Sequence, residues 1–347
     1  MKTSNHLLRR LTAALLAAVL ALSIALPVFA SDDGDTIYIN SVSDLLSLAK
    51  SCAYDQWSVG KTVILQKDLS LEGMLWEPIP SFSGQFKGNG HTISDLTITG
   101  QYSPAGLFGI VEEQGSIESL SVRGIVSVSD SADTTTGGIV GINHGTLINC
   151  QFTGVVTGDS EVGGIVGRNE SEGTIDHSTA RAIVTGKSST GGIAGYNLGA
   201  ITGCTNVGSI NTEYQEASLD TDGFTAKMVD YINNKMAAAD DDATNSVTNV
   251  ATDTGGIAGR SSGMILTSVN TGTVGYEHVG YNVGGIVGRT DGLVSGCVNQ
   301  GHVLGRKDVG GIAGQAEPYR ELDLSKDTIK RLRSELDVLR GLVDDTT

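Results

Sequence analysis

The triplet Gly-Gly-Ile occurs six times, at Gly137-Gly138-Ile139, Gly163-Gly164-Ile165, Gly191-Gly192-Ile193, Gly255-Gly256-Ile257, Gly284-Gly285-Ile286 and Gly310-Gly311-Ile312. Measured at the second glycine, successive copies lie 26, 28, 64, 29 and 26 residues apart. A unit this short cannot bury an apolar face alone, so neighbouring copies must stack to make a core, which is the signature of a solenoid. Ala105-Gly106-Leu107-Phe108-Gly109 reads as a degenerate earlier copy, and the 64-residue step as one unit plus a long insertion. After each Gly-Gly-Ile come Val or Ala, a further Gly, a turn and a second short apolar stretch, alternating with period two. Short alternating runs punctuated by glycine are strands, so the coil is built of β-structure.

The alternation makes specific placements. Ile139, Ile165, Ile193, Ile257, Ile286 and Ile312 are expected to stack inward about 4.8 Å apart, each worth roughly 1.5–3 kcal/mol of burial. Gly141, Gly167, Gly195, Gly259, Gly288 and Gly314 fall on the same inward side, where a missing side chain lets the coil turn tightly. Val140, Val166, Ala194, Ala258, Val287 and Ala313 are expected to face outward, as an apolar stripe that wants a cover. Cys150, Cys204, Cys297 and Ser268 each lie twelve residues after the second glycine, and Ser178 fourteen, in a unit lengthened by about two residues near 169–173. They form one interior column. Cysteines two coils apart sit roughly 10 Å from each other, beyond the ~7 Å that a disulfide spans, so free thiols are predicted. Cys52 lies far upstream with no obvious partner. A disulfide framework is the usual expectation for an exported chain, but four cysteines are too sparse to need one.

Export is read from the first thirty residues. Lys2, Arg9 and Arg10 precede an apolar run from Leu11 to Leu26 that ends in Pro27-Val28-Phe29-Ala30. This is a secretory signal peptide with cleavage after Ala30, and the apolar run is short for a spanning helix. Removing it takes the formal charge from −16 to −19, which argues against a sequence-independent nucleic-acid surface. No later segment is apolar enough to span a bilayer. The expected location is secreted or cell-surface.

The motif Gly-Gly-Ile-Val-Gly with a downstream Gly-x-Val resembles the GLUG repeat of bacterial surface proteins, which also occurs upstream of IgA-specific zinc metallopeptidases of Gram-positive bacteria. The likeness covers about 105–316. The stretch Phe82-Ser83-Gly84-Gln85-Phe86-Lys87-Gly88-Asn89-Gly90-His91-Thr92-Ile93 with Leu96-Thr97-Ile98 is similar to the opening coils of right-handed parallel β-helices of the pectate-lyase type. The resemblance implies an all-β solenoid, a right-handed parallel β-helix, in a cell-surface accessory region. It implies no catalytic residue and no cofactor.

Domain organisation follows from these marks. Residues 1–30 are the signal peptide; 31–104 hold an N-terminal cap and the opening coils; 105–316 are the repeat, interrupted by an insertion at 211–250; 317–347 form a C-terminal helix. Ser41-Val42-Ser43-Asp44 opens an amphipathic helix with Leu45, Leu46, Leu48 and Ala49 on its apolar face, the composition of an end cap. In the insertion, Phe224, Met228, Tyr231, Ile232 and Met236 share one helical face, and a helix this short should dock on the coil. Ile329, Leu332, Leu336, Leu339 and Val343 step 3, 4, 3, 4. That spacing fits a helix docked as a cap and equally the start of a self-associating coiled coil.

Catalytic constellations are harder to find. A metallopeptidase of the kind just named needs two His one turn apart with Glu between, and none of His6, His91, His144, His177, His278 or His302 is followed by Glu. Asp220, Asp222 and Asp240-Asp241-Asp242 read most simply as solvated loop acids, and Gly88-Asn89-Gly90-His91 as a turn. One surface column stands out. The residue after each Gly-Gly-Ile-Val/Ala-Gly is Ile142, Arg168, Tyr196, Arg260, Arg289 and Gln315. Arg168, Tyr196, Arg260 and Arg289 form a candidate binding strip for an anionic glycan or an acidic surface protein, through guanidinium forks and Tyr stacking. The competing reading is that these arginines pair with outward acids such as Glu161, Asp253 and Asp308. The function expected is a non-catalytic adhesive, spacer or accessory solenoid without cofactor or metal; the alternative is a carbohydrate-active β-helix enzyme, a polysaccharide lyase or hydrolase.

Overall fold

Each Gly-Gly-Ile closes one strand and opens the next. Thr136–Gly137 ends at a bend formed by Gly138 and Ile139, and Val140–Asn143 follows directly. Thr146–Ile148 and Gln151–Thr157 complete the coil before Ser160–Gly163 begins another. Every one of these strands pairs in parallel with its equivalent one coil later. The computed structural model is thus an all-parallel β-solenoid whose four sheets hold nine, six, eight and nine strands, about eight coils in all. The structure describes residues 35–54, 56–128, 134–212 and 251–317. The signal peptide, the insertion helix and the C-terminal heptads lie outside the described residues. Among the described residues, no helix is long and apolar enough to cross a membrane.

Ile139, Ile165, Ile193, Ile257 and Ile286 are fully buried and stack as the spacing predicts, while Ile312 on the last coil is 42% exposed. Leu107 of the degenerate copy is fully buried in line with Ile139 and continues the column backward, while Phe108 beside it pairs with Val140. There Phe82, Phe86 and Phe108 interlock with ring centroids 5.4–6.3 Å apart.

The expected outward stripe is not present. Val140, Val166, Ala194, Ala258 and Val287 are fully buried beside the isoleucines. The bend resets the alternation at this point: the amides of both Ile139 and Val140 donate to the carbonyl of Ile165, and the same doubling recurs on each following coil. Two successive side chains therefore enter the core, and the insertion has no such stripe to dock on. The glycine that follows serves close approach rather than a turn. A Cβ on Gly195 would lie 2.2 Å from the backbone of Glu161, and one on Gly259 2.2 Å from that of Ser189. Two sheets pack there backbone to backbone, which only glycine permits.

The interior column of cysteine and serine forms as expected. The Cys150 amide donates to Ser178 Oγ, the Ser178 amide to Cys204 Sγ and the Cys204 amide to Ser268 Oγ, at 3.1–3.4 Å. All four cysteines are free. Burial pushes the Cys150 and Cys204 thiols up to about 12, and that of Cys52 to about 11. Alkylation of Cys150 and Cys204 should thus await unfolding, with native rates flat from pH 7 to 9 as read by peptide mass spectrometry. Rapid native labelling of either would contradict the column. The sign for stability follows: unfolded thiols ionise near their ordinary value of 9.0, while the fold retains those protons, so stability falls as pH rises between 9 and about 12.

Two buried amide ladders run along the stack. Asn143 donates to Asn169, Asn169 to Asn197 and Asn197 to Ser261, at 2.8–3.0 Å. On another face Asn206 donates to Asn270 and Asn270 to Asn299, both at 2.8 Å. At the N-terminal end, helix α1 spans Val42–Ser51 and starts at Ser41, whose hydroxyl accepts the Asp44 amide; Leu45 and Leu48 enter the core. The Asp44 carboxylate in return accepts the Asn40 amide at 2.9 Å, so the two side chains cap the helix start reciprocally.

Candidate functional site

The column predicted on the strands after each bend exists in register. Ile142 pairs with Arg168, Arg168 with Tyr196, Tyr196 with Arg260, Arg260 with Arg289 and Arg289 with Gln315. Parallel pairing spaces them about 4.8 Å apart along the axis. Tyr196 stands between two guanidinium groups, with Arg168 5.5 Å and Arg260 5.1 Å from its ring centroid. Its hydroxyl lies 3.3 Å from Ser262 Oγ. The ring is thus engaged by arginine along the column, and the Tyr stacking expected for a ligand is taken up within the protein.

A second column runs beside the first. Glu161, Ser189, Asp253, Asn282 and Asp308 sit seven residues before the column residues and all have left-handed φ of 47–55°. That conformation is uncommon for non-glycine residues, and its recurrence on successive coils marks a fixed local geometry rather than an accident. Glu161 hydrogen-bonds Arg168, and Glu170 adds a second carboxylate 3.7 Å away. Burial would lower the Arg168 guanidinium, but the bond and charge of Glu161 reverse this and hold it above its ordinary value. Arg289 pairs with Glu317 rather than Asp308. Asp253, the acid placed to meet Arg260, instead accepts from Asn282 Nδ2 at 2.6 Å. Arg260 has no carboxylate partner among the described residues. The four predicted residues are brought together, and the pairing alternative holds at Arg168 and Arg289 but not at Arg260.

Asn89 and Gly90 take left-handed φ, confirming the turn before His91. His91 Nδ1 lies 3.2 Å from Asp68, whose carboxyl is held low first by the Thr92 amide and then by His91. No group of three His, Cys, Asp or Glu able to hold a metal ion is found among the described residues.

No family model matches the chain. It is 32% identical over 155 residues to Halomucin of Haloquadratum walsbyi, a match covering 41% of this chain and 2% of that protein. It is 29% identical over 137 residues to a "Putative Gly-rich membrane protein" of Evansella cellulosilytica, covering 28% of this chain and 16% of the other. The chain spans a small part of either relative's length. Among solved structures it is similar to a "putative immunoglobulin A1 protease" from Bacteroides ovatus, with 18% identity, a TM-score of 0.49 and coverage of 83% and 85% of the two chains. A likeness of that degree carries neither activity nor mechanism from one to the other.

Proposed function

We propose that this chain is a non-catalytic, right-handed β-helix of an exported cell-surface protein, of the GLUG-repeat kind, serving as a stiff adhesive or spacer arm with α1 as its N-terminal cap. The observation that carries this reading is the parallel pairing of the stack, in which four sheets run coil after coil. From the coil of Ile139 onward the coils are held to one another by isoleucine and amide columns, so the arm resists bending and presents side chains in line. Relatives named Halomucin and Gly-rich membrane protein support a surface setting, as does the leader ending at Ala30.

Ligand contact on this reading centres on Arg260. Among the described residues no carboxylate compensates its charge, and its guanidinium is oriented by Tyr196, so a carboxylate or sulfate of an acidic glycan would meet a preorganised fork. Arg168 and Arg289 are neutralised by their own acids and contribute less. A panel of acidic and neutral glycans, read together with a reducing-end assay, tests both parts. Acidic glycans should be retained without new reducing ends, and Arg260→Ala should weaken retention at least tenfold, while Arg168→Ala should weaken it less. Unchanged retention in Arg260→Ala removes the site. Turnover of any glycan replaces the non-catalytic reading with a carbohydrate-active enzyme.

A further inference from the structure

On the early coils, the corner that follows the strands Gln85–Lys87, Ser116–Glu118 and Thr146–Ile148 turns through one left-handed residue each time. These residues are Asn89, Ser119 and Asn149, and all three have φ of 52°. The shared geometry sets them in line about 4.8 Å apart. Backbone bonds hold it: the Gly90 amide donates to the Ser119 carbonyl at 2.8 Å and the Ser119 amide to the Ile148 carbonyl at 2.9 Å. Beside that line Lys87, Glu118 and Ile148 stand in register on consecutive coils, all exposed. An open groove of about 390 Å³ runs here, lined by Lys87, Asn89, Gly90, Glu118, Ser119 and Asn149, a volume in the range of small-ligand sites.

The hydrogen-bonding capacity of this lining is only partly used within the protein. Asn89 Nδ2 donates to the Leu65 carbonyl at 3.2 Å and Asn149 Nδ2 to Ser119 Oγ at 3.4 Å. Each amide keeps its Oδ1 and a second N–H for a ligand, and Ser119 keeps its hydroxyl proton. Lys87 and Glu118 are opposite charges in register, yet among the described residues neither forms an ion pair. Their charges cancel, so the groove selects against a strongly anionic chain, in contrast to the column around Arg260. We infer that this groove binds a neutral glycan. A sugar hydroxyl both gives and accepts a hydrogen bond, which is what each Asn amide offers; Glu118 adds acceptors and Lys87 donors. Ile148, 38% exposed at the end of the line, presents an apolar surface to the C–H face of a ring. Because the turns are fixed coil by coil, binding orders few side chains, which lowers its entropic cost.

Isothermal titration calorimetry of the full chain tests this with the hexamers of β-linked glucose, α-linked glucose, mannose and xylose, beside an oligogalacturonate as the acidic comparison. At least one neutral hexamer should bind. Glu118→Gln and Asn149→Ala should each weaken that binding at least fivefold, while Arg260→Ala should leave it within twofold. Both altered residues are exposed, so unchanged urea midpoints should show that the variants remain folded. The inference is overturned if no neutral hexamer binds, or if binding is the same in Glu118→Gln and Asn149→Ala as in the parent. Oligogalacturonate separates this site from the one at Arg260: binding of the acid alone, lost in Arg260→Ala, removes the groove and keeps the column, whereas binding of a neutral hexamer alone does the reverse.

Discussion

Ile193→Asp should cost more than about 4 kcal/mol of stability, whereas Met264→Asp, also an apolar-to-acid change, should cost less than about 1 kcal/mol. Ile193 is fully buried, with Ile165 on the coil before and Ile257 on the coil after, while Met264 is 44% exposed on an outward column between Ala200 and Leu293. Removing the Ile side chain forfeits its burial, and the new carboxylate has no cation within the core to pair with, so it enters protonated or excludes itself by opening the coil. A solenoid holds each coil only through its two neighbours, so damage at Ile193 weakens both interfaces. Urea titration followed by far-ultraviolet circular dichroism measures the difference. Equal midpoints for the two variants would mean that the isoleucine column does not carry the fold. Ile193→Val, which keeps the column and removes one methylene, should cost about 1 kcal/mol.

The stack was legible from spacing because a solenoid repeats its core in sequence order. Six Gly-Gly-Ile copies place the isoleucines, and the count of twelve places Cys150, Cys204, Ser268 and Cys297 in one column that the hydrogen bonds from Cys150 to Ser178 and from Cys204 to Ser268 confirm. Period-two reasoning failed one residue later. It assumes an unbroken strand, and the doubled amides at Ile139 and Val140 show that the strand breaks there and starts again with the phase shifted. The column of Arg168, Tyr196, Arg260 and Arg289 was legible as a line of residue types, since equivalent positions must align in a parallel stack. Its charge was not, because Glu161 reaches Arg168 through a left-handed backbone turn and Asp253 is withheld from Arg260 by Asn282 on the next coil. Those are choices among neighbouring polar groups that spacing does not rank. The amide ladders had a usable signal: Asn143, Asn169 and Asn197 all stand five residues after the second glycine, and Asn206, Asn270 and Asn299 all fourteen. Polar residues at fixed positions of a buried repeat must satisfy one another, and a ladder is how they do so.

Asn270→Ala should destabilise the solenoid by roughly 3 kcal/mol, and Asn299→Ala by about 1 kcal/mol, because the cost lies in what each change leaves unpaired. Asn270 is fully buried. Its Oδ1 accepts Asn206 Nδ2 and the Gly272 amide, and its Nδ2 donates to Asn299 Oδ1 and the Gly272 carbonyl. Alanine strands these groups where water does not reach them. Asn299 closes the ladder at the half-buried end, where solvent can replace what it gives up. The same column is apolar upstream, with Phe152 and Ala180 in the preceding coils, so an apolar side chain is tolerated where its neighbours are apolar too. The penalty therefore comes from mixing, and a double-mutant cycle on Asn206 and Asn270 should return a coupling energy of about 0.5–3 kcal/mol. Asn270→Asp supplies the pH signature. Its carboxylate can accept from Asn206 and Gly272 but would face Asn299 Oδ1 and the Gly272 carbonyl without a proton, so the fold favours the protonated acid and raises its pKa. Unfolded aspartate ionises near 3.9, so the variant should be closest to the parent below about pH 4 and lose stability as pH rises above that, while the parent shows no such loss. Denaturation midpoints at pH 4 and pH 7 measure it; a gap between Asn270→Asp and the parent that is the same at both values would mean that the ladder is not sealed from water.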